Sequence, residues 1–407
     1  MKKKNNAKKW IRFRHYVVRT VAYPLIKLYS TIKYGVKVEP FKQQKKGQSY
    51  LILFNHQTAF DQFFVGFAFK GPVYYVASED IFSMGFVSKL LRYAVAPIPI
   101  KKQTTDVHAV MTCRKVAKEG GTIAIAPEGN RTYSGKTEHI NPAIVGLIKL
   151  LKLPLLLYRL EGGYGVHPRW SDDVRKGKMR GYVSRIVEPE EYATMSDDEI
   201  LALVQEGLYV NEGVADASFR HKRLAEGLER AMYVCPKCGI TTFHTKKDVI
   251  TCTHCGLQAR YLPTKELVGV DEEFPFRFTT EWYEHQCKVM RELDLTPYEE
   301  EPLFIETDTL LSEVALYQRK KPISEGTALS AFGNRFEIAY GNEHLVLPFD
   351  QVSAVTVLGK NKLNIYFDKK VWQFKGNKSM NALKFVNLFY HYKNIKAGDP
   401  NGEFLGL

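Results

Sequence analysis

The feature that most constrains the fold is an alternation of short apolar runs with helical stretches between residues 49 and 212. The apolar runs have the length of buried strands, and apolar residues recur at helical spacing between them. Such alternation predicts an α/β layer fold with a mostly parallel sheet. The predicted strands cover residues 50–54, 73–77, 122–126, 154–160 and 179–186, and the predicted helices cover residues 60–69, 84–93, 107–118, 141–152 and 197–209.

A polar box follows the first predicted strand, at the kind of strand end where α/β folds place their active sites. It reads Asn-His-Gln-Thr-Ala-Phe-Asp and contains Asn55, His56, Thr58 and Asp61. An imidazole that donates to a carboxylate through one nitrogen can act as a general base through the other. Within one helix His56 and Asp61 would point about 140° apart. They can meet if His56 lies in the loop and Asp61 in the first turn, with Thr58 as the N-cap.

The alternative for this box is purely structural. Thr58 and Asp61 can form a capping box at the start of a helix, and His56 is then an ordinary loop residue. The spacing alone does not decide between the two interpretations.

A second box, Pro-Glu-Gly-Asn-Arg-Thr, follows the predicted strand at residues 122–126. Gly129 allows the backbone to come close to a ligand, and the planar fork of Arg131 suits a phosphate. Glu128 could accept from an acceptor hydroxyl or hold Arg131. Taken by itself, this box is equally well explained as a turn with a surface ion pair.

Together the two boxes resemble those of the glycerolipid acyltransferases, the family of 1-acyl-glycerol-3-phosphate and glycerol-3-phosphate acyltransferases. The resemblance runs from the N-terminal helices to about residue 212. Between its boxes the family has a Gly-x-Ile-x-Ile-x-Arg element, and the matching stretch here begins at Ala96 and ends at Lys102. The family usually has Ser where Thr58 stands, so a hydroxyl is kept.

The resemblance implies direct transfer of a fatty acyl group from a thioester to a hydroxyl, with His56 as the base and Asp61 orienting it. The donor would be acyl-CoA or an acyl carrier protein thioester. A thioester is already activated, so positioning and a base suffice and no acyl-enzyme is needed. Arg131 and Lys102 would clamp the acceptor phosphate, and the other residues expected to shape the substrate site are Asn55, Thr58, Glu128, Gly129 and Thr132.

Two Cys-x-x-Cys pairs, each followed by glycine, are separated by residues 239–251. Four thiolates at this spacing fit a tetrahedral zinc site, and the glycines permit the tight turns that aim the sulfurs at one metal. A zinc with four protein ligands is structural or serves partner binding, because it keeps no open position for chemistry. The segment resembles a zinc ribbon, and the predicted ligands are Cys235, Cys238, Cys252 and Cys255.

The N-terminal segment is strongly basic, since residues 1–38 hold eleven Lys and Arg residues and no acidic residue. A helix over residues 10–22 would place Trp10, Phe13, Val17 and Val21 on one face and Arg12, His15 and Arg19 on another. Pro24 would start a second short helix over residues 25–32. Such helices are typical of segments that lie in an anionic bilayer interface. The alternative is a surface helix packed on its own domain with a basic solvated side.

The chain divides into five predicted parts. Residues 1–45 form basic amphipathic membrane-associating helices, residues 46–230 the acyltransferase domain, residues 231–262 the zinc ribbon, and residues 263–300 a helical linker. Residues 301–407 are strand-rich with one closing helix, a pattern similar to a pleckstrin-homology-like fold, a small β-barrel capped by a C-terminal helix. Lysines cluster near its hairpins, where they either bind an anionic surface or belong to ordinary solvated turns: Lys360, Lys362, Lys369, Lys370, Lys375 and Lys378.

The sequence predicts a peripheral, monotopic protein at the cytoplasmic face of a membrane. No apolar stretch approaches eighteen uninterrupted residues, and Arg19 and Lys27 interrupt the first one, so neither a spanning helix nor secretion is expected. Four of the six cysteines lie in the two tight pairs, which points to a metal in a reducing compartment.

The predicted function is acylation of lysophosphatidic acid to phosphatidic acid in phospholipid biosynthesis. Another hydroxyl acceptor, such as glycerol 3-phosphate or another lysolipid, is the alternative within enzymes. A non-catalytic zinc and lipid-binding adaptor is the alternative from another class, and the joint presence of His56, Asp61, Glu128 and Arg131 counts against it. A nucleic-acid partner is not expected, because apolar residues accompany the basic ones at helical spacing.

Overall fold

The computed structural model describes residues 9–100, 106–315 and 318–404 of the 407-residue chain. Lys102 of the predicted phosphate clamp lies outside the described residues, as do the basic residues at positions 2–4 and 8.

The described strands of the N-terminal half form one sheet of seven: β1 (Val36–Val38), β2 (Leu51–Phe54), β3 (Val73–Ser78), β4 (Ile98–Ile100), β5 (Thr122–Ile125), β6 (Leu155–Glu161) and β7 (Met179–Val187). Their order is β1-β7-β6-β2-β5-β3-β4. All neighbouring pairs are parallel except β6 and β7, which are antiparallel. The expected mixed α/β fold with a mostly parallel sheet is therefore confirmed.

Helices accompany this sheet: α1 (Phe13–Tyr34), α2 (Asp61–Ala68), α3 (Phe86–Ala94), α4 (Val107–Lys118), α5 (Ala143–Leu151), α6 (Gly163–Val166), α7 (Pro189–Tyr192) and α8 (Asp197–Leu208). Local signals set several of their starts. The Asp106 side chain accepts from the Ala109 amide at the start of α4, and Ser196 and Glu199 form a capping box at the start of α8.

The N-terminal helix differs from its prediction. It begins at Phe13, so Trp10 is not part of it, and Trp10 instead donates from Nε1 to the Ala96 carbonyl at 3.0 Å. Pro24 lies inside one continuous helix and does not start a second one. Contacts on both sides of the proline hold the helix together, because Arg19 donates to the carbonyls of Gly66 and Phe69 while the Tyr34 ring packs on α2.

The cysteine-rich segment forms two small sheets. The strands are β8 (Val234–Cys235), β9 (Gly239–Ile240), β10 (Phe243–Lys246), β11 (Val249–Cys252), β12 (Gln258–Tyr261) and β13 (Leu267–Gly269). β8 pairs with β9, and β10 to β13 form an antiparallel meander. Helix α9 (Thr279–Arg291) lies against this segment, with Trp282 Nε1 donating to the Val234 carbonyl at 2.7 Å.

The C-terminal part is an antiparallel sheet with one helix, α10 (Leu383–Lys396). Its strands are β14 (Phe304–Val314), β15 (Lys321–Ala331), β16 (Arg335–Tyr340), β17 (Glu343–Pro348), β18 (Ala354–Leu358), β19 (Lys362–Phe367) and β20 (Lys370–Lys375), in the order β17-β16-β15-β14-β20-β19-β18. The predicted barrel is not closed by hydrogen bonds, because the outer strands β17 and β18 are not paired within the described range. Helix α10 is buried over its first nine residues and fills the core that the sheet surrounds.

One hydrophobic core joins the cysteine-rich segment, α9 and the C-terminal sheet. It continues into the N-terminal half through Tyr133 and Trp170, which are both fully buried. The boundaries predicted between these parts remain predictions, but burial along this length couples their packing.

Candidate active site

The two polar boxes meet because their strands are neighbours. β2 and β5 are adjacent and parallel, so the loops after Phe54 and after Ile125 leave the same edge of the sheet. The His56 amide donates to Glu128 Oε1 at 2.8 Å, and the Thr132 amide donates to the His56 carbonyl at 3.1 Å. The polar site therefore lies where strand-end geometry predicts it.

His56 and Asp61 form a direct pair. Nδ1 of His56 donates to Asp61 Oδ2 at 2.8 Å, and the side chain of His56 is 24% exposed while that of Asp61 is fully buried. A carboxylate only accepts hydrogen bonds, so the proton of the neutral ring lies on Nδ1. The lone pair of the neutral ring is then on Nε2, which is the arrangement a general base requires.

Asp61 receives three further donors that fix its position. The amides of Gln57 and Thr58 donate to Oδ2 at 2.7 and 2.9 Å, and the Thr58 hydroxyl donates to Oδ1 at 2.6 Å. The N-cap lies two residues later than predicted, at Phe60 and not at Thr58, and Asp61 is the first helical residue. Thr58 therefore does not cap the helix, and the carboxylate of Asp61 instead closes the loop that carries His56.

Glu128 ties the two boxes to a third segment. Its Oε2 accepts from the Glu138 amide at 2.9 Å, and Thr132 Oγ1 donates to Glu138 Oε1 at the same distance. Burial raises the pKa of Glu128 to about 8, although the two backbone amides oppose this change. Both carboxylate oxygens are thus engaged with backbone, and the structure makes Glu128 a brace of the site where the sequence suggested a contact to the acceptor hydroxyl or to Arg131.

Arg131 lies close enough to the histidine–aspartate pair for the charge of Asp61 to act on it. Its Nη1 is buried and has no hydrogen-bond partner among the described residues. Burial, and then the neighbouring charge of Arg169, lowers the pKa of Arg131 to about 10, while Asp61 and Tyr34 act in the opposite direction. Gly129, at a φ of +71°, faces open space, since an added Cβ would meet no atom within 4 Å. A ligand can approach the loop on this side.

Two side chains of the first box anchor its loop to the backbone of β6 and of the segment after it. Asn55 exchanges two hydrogen bonds with Leu160 of β6, at 2.8 and 2.7 Å. Gln57 accepts from the Gly163 amide at 2.8 Å and donates to Glu212 at 3.2 Å. Glu212 in turn accepts from the buried amine of Lys265 at 3.0 Å, so the loop is linked to the segment that follows the cysteines.

The four predicted ligand cysteines converge. Their sulfur atoms all lie within 4.8 Å of one another, with Cys235 to Cys255 at 3.6 Å and Cys238 to Cys252 at 3.5 Å. A zinc ion at about 2.3 Å from each thiolate keeps the sulfurs roughly 3.8 Å apart, so the donor set fits such an ion. Gly239 and Gly256 adopt positive φ after each pair, which provides the two tight turns.

Several residues of the site had no signal in the sequence. Gln57 lies within the first box, but Glu138 and Glu212 are isolated acidic residues in unremarkable stretches. His167 and Arg169 follow β6 and are buried beside Arg131, as the Arg169 Nη1 donation to the Arg131 carbonyl at 2.8 Å shows. Only long-range pairing identifies these residues.

Known proteins match the part of the chain that holds both boxes. Residues 35–156 match the family model described as Acyltransferase. The 1-acyl-sn-glycerol-3-phosphate acyltransferase of Bacillus subtilis (strain 168) is 22% identical over 185 residues, which are 45% of this chain and 89% of the relative.

Two solved structures resemble parts of the chain more distantly. The 1-acyl-sn-glycerophosphate (LPA) acyltransferase PlsC from Thermotoga maritima has 21% identity and a TM-score of 0.40, covering 48% of this chain and 80% of that one. The N-terminal PH domain of human ARAP2 has 14% identity and a TM-score of 0.18, covering 23% and 82%. Neither likeness is close enough to add to the argument.

Proposed function

We propose that this chain, an enzyme of the acyltransferase type, moves a fatty acyl group from an acyl thioester to the hydroxyl of lysophosphatidic acid and so forms phosphatidic acid. The observation that carries the proposal is the buried Asp61 carboxylate 2.8 Å from Nδ1 of a partly exposed His56, with the Arg131 guanidinium beside them. The relative from Bacillus subtilis bears the name of this activity.

In the proposed reaction His56 Nε2 takes the proton of the acceptor hydroxyl as its oxygen attacks the thioester carbonyl carbon. The tetrahedral intermediate then collapses, the carbon–sulfur bond breaks, and the leaving thiolate takes the proton back from His56. Asp61 stabilises the imidazolium formed between the two steps. Arg131 binds the acceptor phosphate, with Gly129 giving it access, while Asn55, Thr58, Glu128 and Thr132 hold the loops.

The experiment is an acyl-transfer assay with purified protein. Long-chain acyl-CoA and acyl carrier protein thioesters are each offered with lysophosphatidic acid, glycerol 3-phosphate and monoacylglycerol, in micelles of an uncharged detergent. We expect phosphatidic acid from lysophosphatidic acid with at least one donor. Preference for glycerol 3-phosphate would move the proposal to the other acceptor, and no transfer to any acceptor would overturn it.

We also propose that the four cysteines hold one structural zinc ion. The sulfur distances and the two left-handed glycines support this assignment. None of the six cysteines forms a disulfide in the structure, so all four sulfurs of the cluster can serve as ligands. The zinc would brace the shared core and take no part in the transfer reaction.

An apolar surface on α1 and α3 supports a peripheral attachment to an anionic membrane. Phe13 is 82% exposed and Phe86 is 78% exposed, and they belong to a larger exposed set: Val17, Val21, Leu25, Leu28, Ile32, Val87, Leu90 and Tyr93. Arg14 joins the two helices by donating to the Tyr93 carbonyl at 2.8 Å. None of the described helices is long and apolar enough to cross a membrane.

The orientation of α1 strengthens this proposal. His15 is buried with Nδ1 3.1 Å from the Tyr74 hydroxyl, and Arg19 binds carbonyls at the end of α2. His15 and Arg19 thus face the protein while the large apolar side chains named above face outward, an arrangement that suits a helix lying in a membrane interface. A lysolipid acceptor lies in the bilayer interface, so an enzyme attached there meets it without extracting it into water.

A further inference from the structure

A neutral histidine and a lysine from two distant parts of the chain lie near Arg131. His167 is 9% exposed, and both of its ring nitrogens are buried without a hydrogen-bond partner in the described structure. Lys360 lies in the turn between β18 and β19 of the C-terminal sheet, and its amine donates to Asp172 Oδ1 at 2.7 Å. His167 lies 36 residues after Arg131 in the chain, and Lys360 lies 193 residues after His167.

One buried arginine fixes this hairpin against the phosphate loop. Arg169 donates from Nη1 to the Arg131 carbonyl at 2.8 Å, and from Nη2 to the Val357 carbonyl at 2.9 Å. Its Nε donates to the Gly359 carbonyl at 3.3 Å. The backbone of Arg131 and the residue next to Lys360 are therefore held by a single guanidinium group, which allows little independent movement of the hairpin.

The positive charges in this region lower the pKa values of neighbouring groups. Burial lowers the pKa of His167 to about 3, and the charges of Arg131 and Lys360 add to this change. Burial also lowers the pKa of Lys360, with Arg131 adding to the change and Asp172 opposing it. Asp172 is shared, because it also accepts from Arg230 Nη2 at 2.8 Å. Three cations, Arg131, Arg230 and Lys360, thus lie near one another with one carboxylate shared by two of them, and this excess of positive charge favours a bound anion.

We propose that Lys360, supplied by the β18–β19 hairpin of the C-terminal domain, completes a phosphate monoester site together with Arg131 and His167. The inference rests on the proposed function, because it takes the acceptor to carry a phosphate. Arg131 offers its planar fork, Lys360 a positive charge, and the neutral His167 one ring N–H donor. The C-terminal domain thus determines specificity for the acceptor.

Lys360→Met tests this site, and the control is Lys375→Met, which removes the same charge from the exposed end of β20. Both variants are assayed in uncharged micelles, so that loss of a positive charge does not alter partition to the surface. We expect Lys360→Met to raise the KM for lysophosphatidic acid by about 10- to 100-fold, the loss of one charge-assisted hydrogen bond. Lys375→Met should keep the wild-type KM, and Lys360→Arg should restore most of it.

Monoacylglycerol separates a ligand contact from a merely structural one, because it lacks the phosphate and should not show the rise in KM. An equal rise for both acceptors, or no rise for lysophosphatidic acid, would overturn the inference. Direct binding of glycerol 3-phosphate and of inorganic phosphate, measured by calorimetry, tells a headgroup site from one for free phosphate. Weaker binding of glycerol 3-phosphate by Lys360→Met is expected, and tighter binding of inorganic phosphate than of glycerol 3-phosphate would contradict a headgroup site.

The calorimetric arm also separates the two proposals. If the wild type transfers no acyl group to any acceptor, the proposed function fails, and binding of glycerol 3-phosphate still decides the role of Lys360. Should Lys360→Met fail to fold, Asp172→Asn provides a second measurement. It removes the competing carboxylate and should tighten binding of glycerol 3-phosphate, and unchanged or weaker binding would count against the site.

Discussion

At the residue scale, the site depends on how completely each charged group is partnered. Asp61 accepts four hydrogen bonds, one from His56 and three from the loop around it. Arg131 has the opposite character, since its buried Nη1 lacks a partner within the described residues. Fixed partners suit a base that must keep its geometry, and an unsatisfied donor suits a group that waits for a ligand.

His56→Ala should reduce acyl transfer by about 10²- to 10⁴-fold, because the variant has no general base for the acceptor hydroxyl. Asp61→Asn should also be severe, since an amide cannot accept all four of the donors that reach the carboxylate. The measurement is kcat/KM with lysophosphatidic acid, alongside thermal unfolding and liposome binding to verify an intact fold. Near wild-type turnover in a folded His56→Ala protein would refute the mechanism.

Glu128 gives a pH-dependent prediction for stability. Its pKa is raised from an ordinary value of 4.5 to about 8, so the folded protein holds the proton where the unfolded chain has lost it. The contribution of this group to the free energy of unfolding is therefore fully present below pH 4.5 and is lost as the pH rises toward 8. Glu128→Gln lacks this titration.

Denaturant unfolding of wild type and Glu128→Gln across that range checks this prediction. The stability advantage of the wild type over the variant should shrink steadily as the pH rises. A difference that is constant from pH 5 to pH 8 would show that Glu128 does not titrate as proposed.

At the element scale, the proposed membrane attachment rests on α1 and α3. Removal of the N-terminal helix would be a poor test of attachment, because His15, Tyr34 and Arg19 of α1 contact the core and α2. Substitutions on the exposed face are better, since they leave these contacts in place.

The double substitution Phe86→Glu and Leu90→Glu on α3 should weaken flotation with anionic liposomes several-fold or more. Both side chains are exposed, so burial in the interface would be lost and two repulsive charges gained. Val346→Glu on the exposed face of β17 is the matched control and should float as wild type does. Wild-type binding should weaken with salt without vanishing, and unchanged flotation of the double variant would place the contact elsewhere.

At the scale of the whole molecule, the cysteine segment lies within the core that joins the two halves. That core runs from Tyr133 and Trp170 through the four-cysteine segment to α10. The sequence alone predicts a zinc ribbon at residues 231–262 that is distinct from the acyltransferase domain at residues 46–230. The shared core suggests that loosening the module reaches the hairpin that carries Lys360.

Cys238→Ser should lower the zinc content below one ion per chain and lower the midpoint of thermal unfolding, because a small metal site is coupled to folding. It should also raise the KM for lysophosphatidic acid. Cys113→Ser makes the same chemical change outside the cluster and should keep the metal. Elemental analysis of protein purified without added metal is the measurement. Wild type without zinc, and with the four thiols paired as disulfides, would contradict the assignment.

The sequence by itself determined the features that depend on local spacing. Period and length of apolar runs gave the mostly parallel sheet, and the two boxes fell after strands that proved to be neighbours. The predicted acyltransferase activity class is confirmed by the family match over residues 35–156. The spacing of the cysteines likewise sufficed to predict that their four sulfur atoms lie close together.

Only the tertiary structure decided which face of α1 points outward, what Glu128 holds, and which side chains surround Arg131. The face of α1 depends on Tyr74 and on the end of α2, and Glu128 binds backbone amides on two loops. The hairpin that carries Lys360 comes from the far end of the chain and is bound by Arg169, which also binds the Arg131 carbonyl. Hydrogen bonds and burial between residues so far apart leave no periodic or local pattern, so a single sequence cannot reveal them.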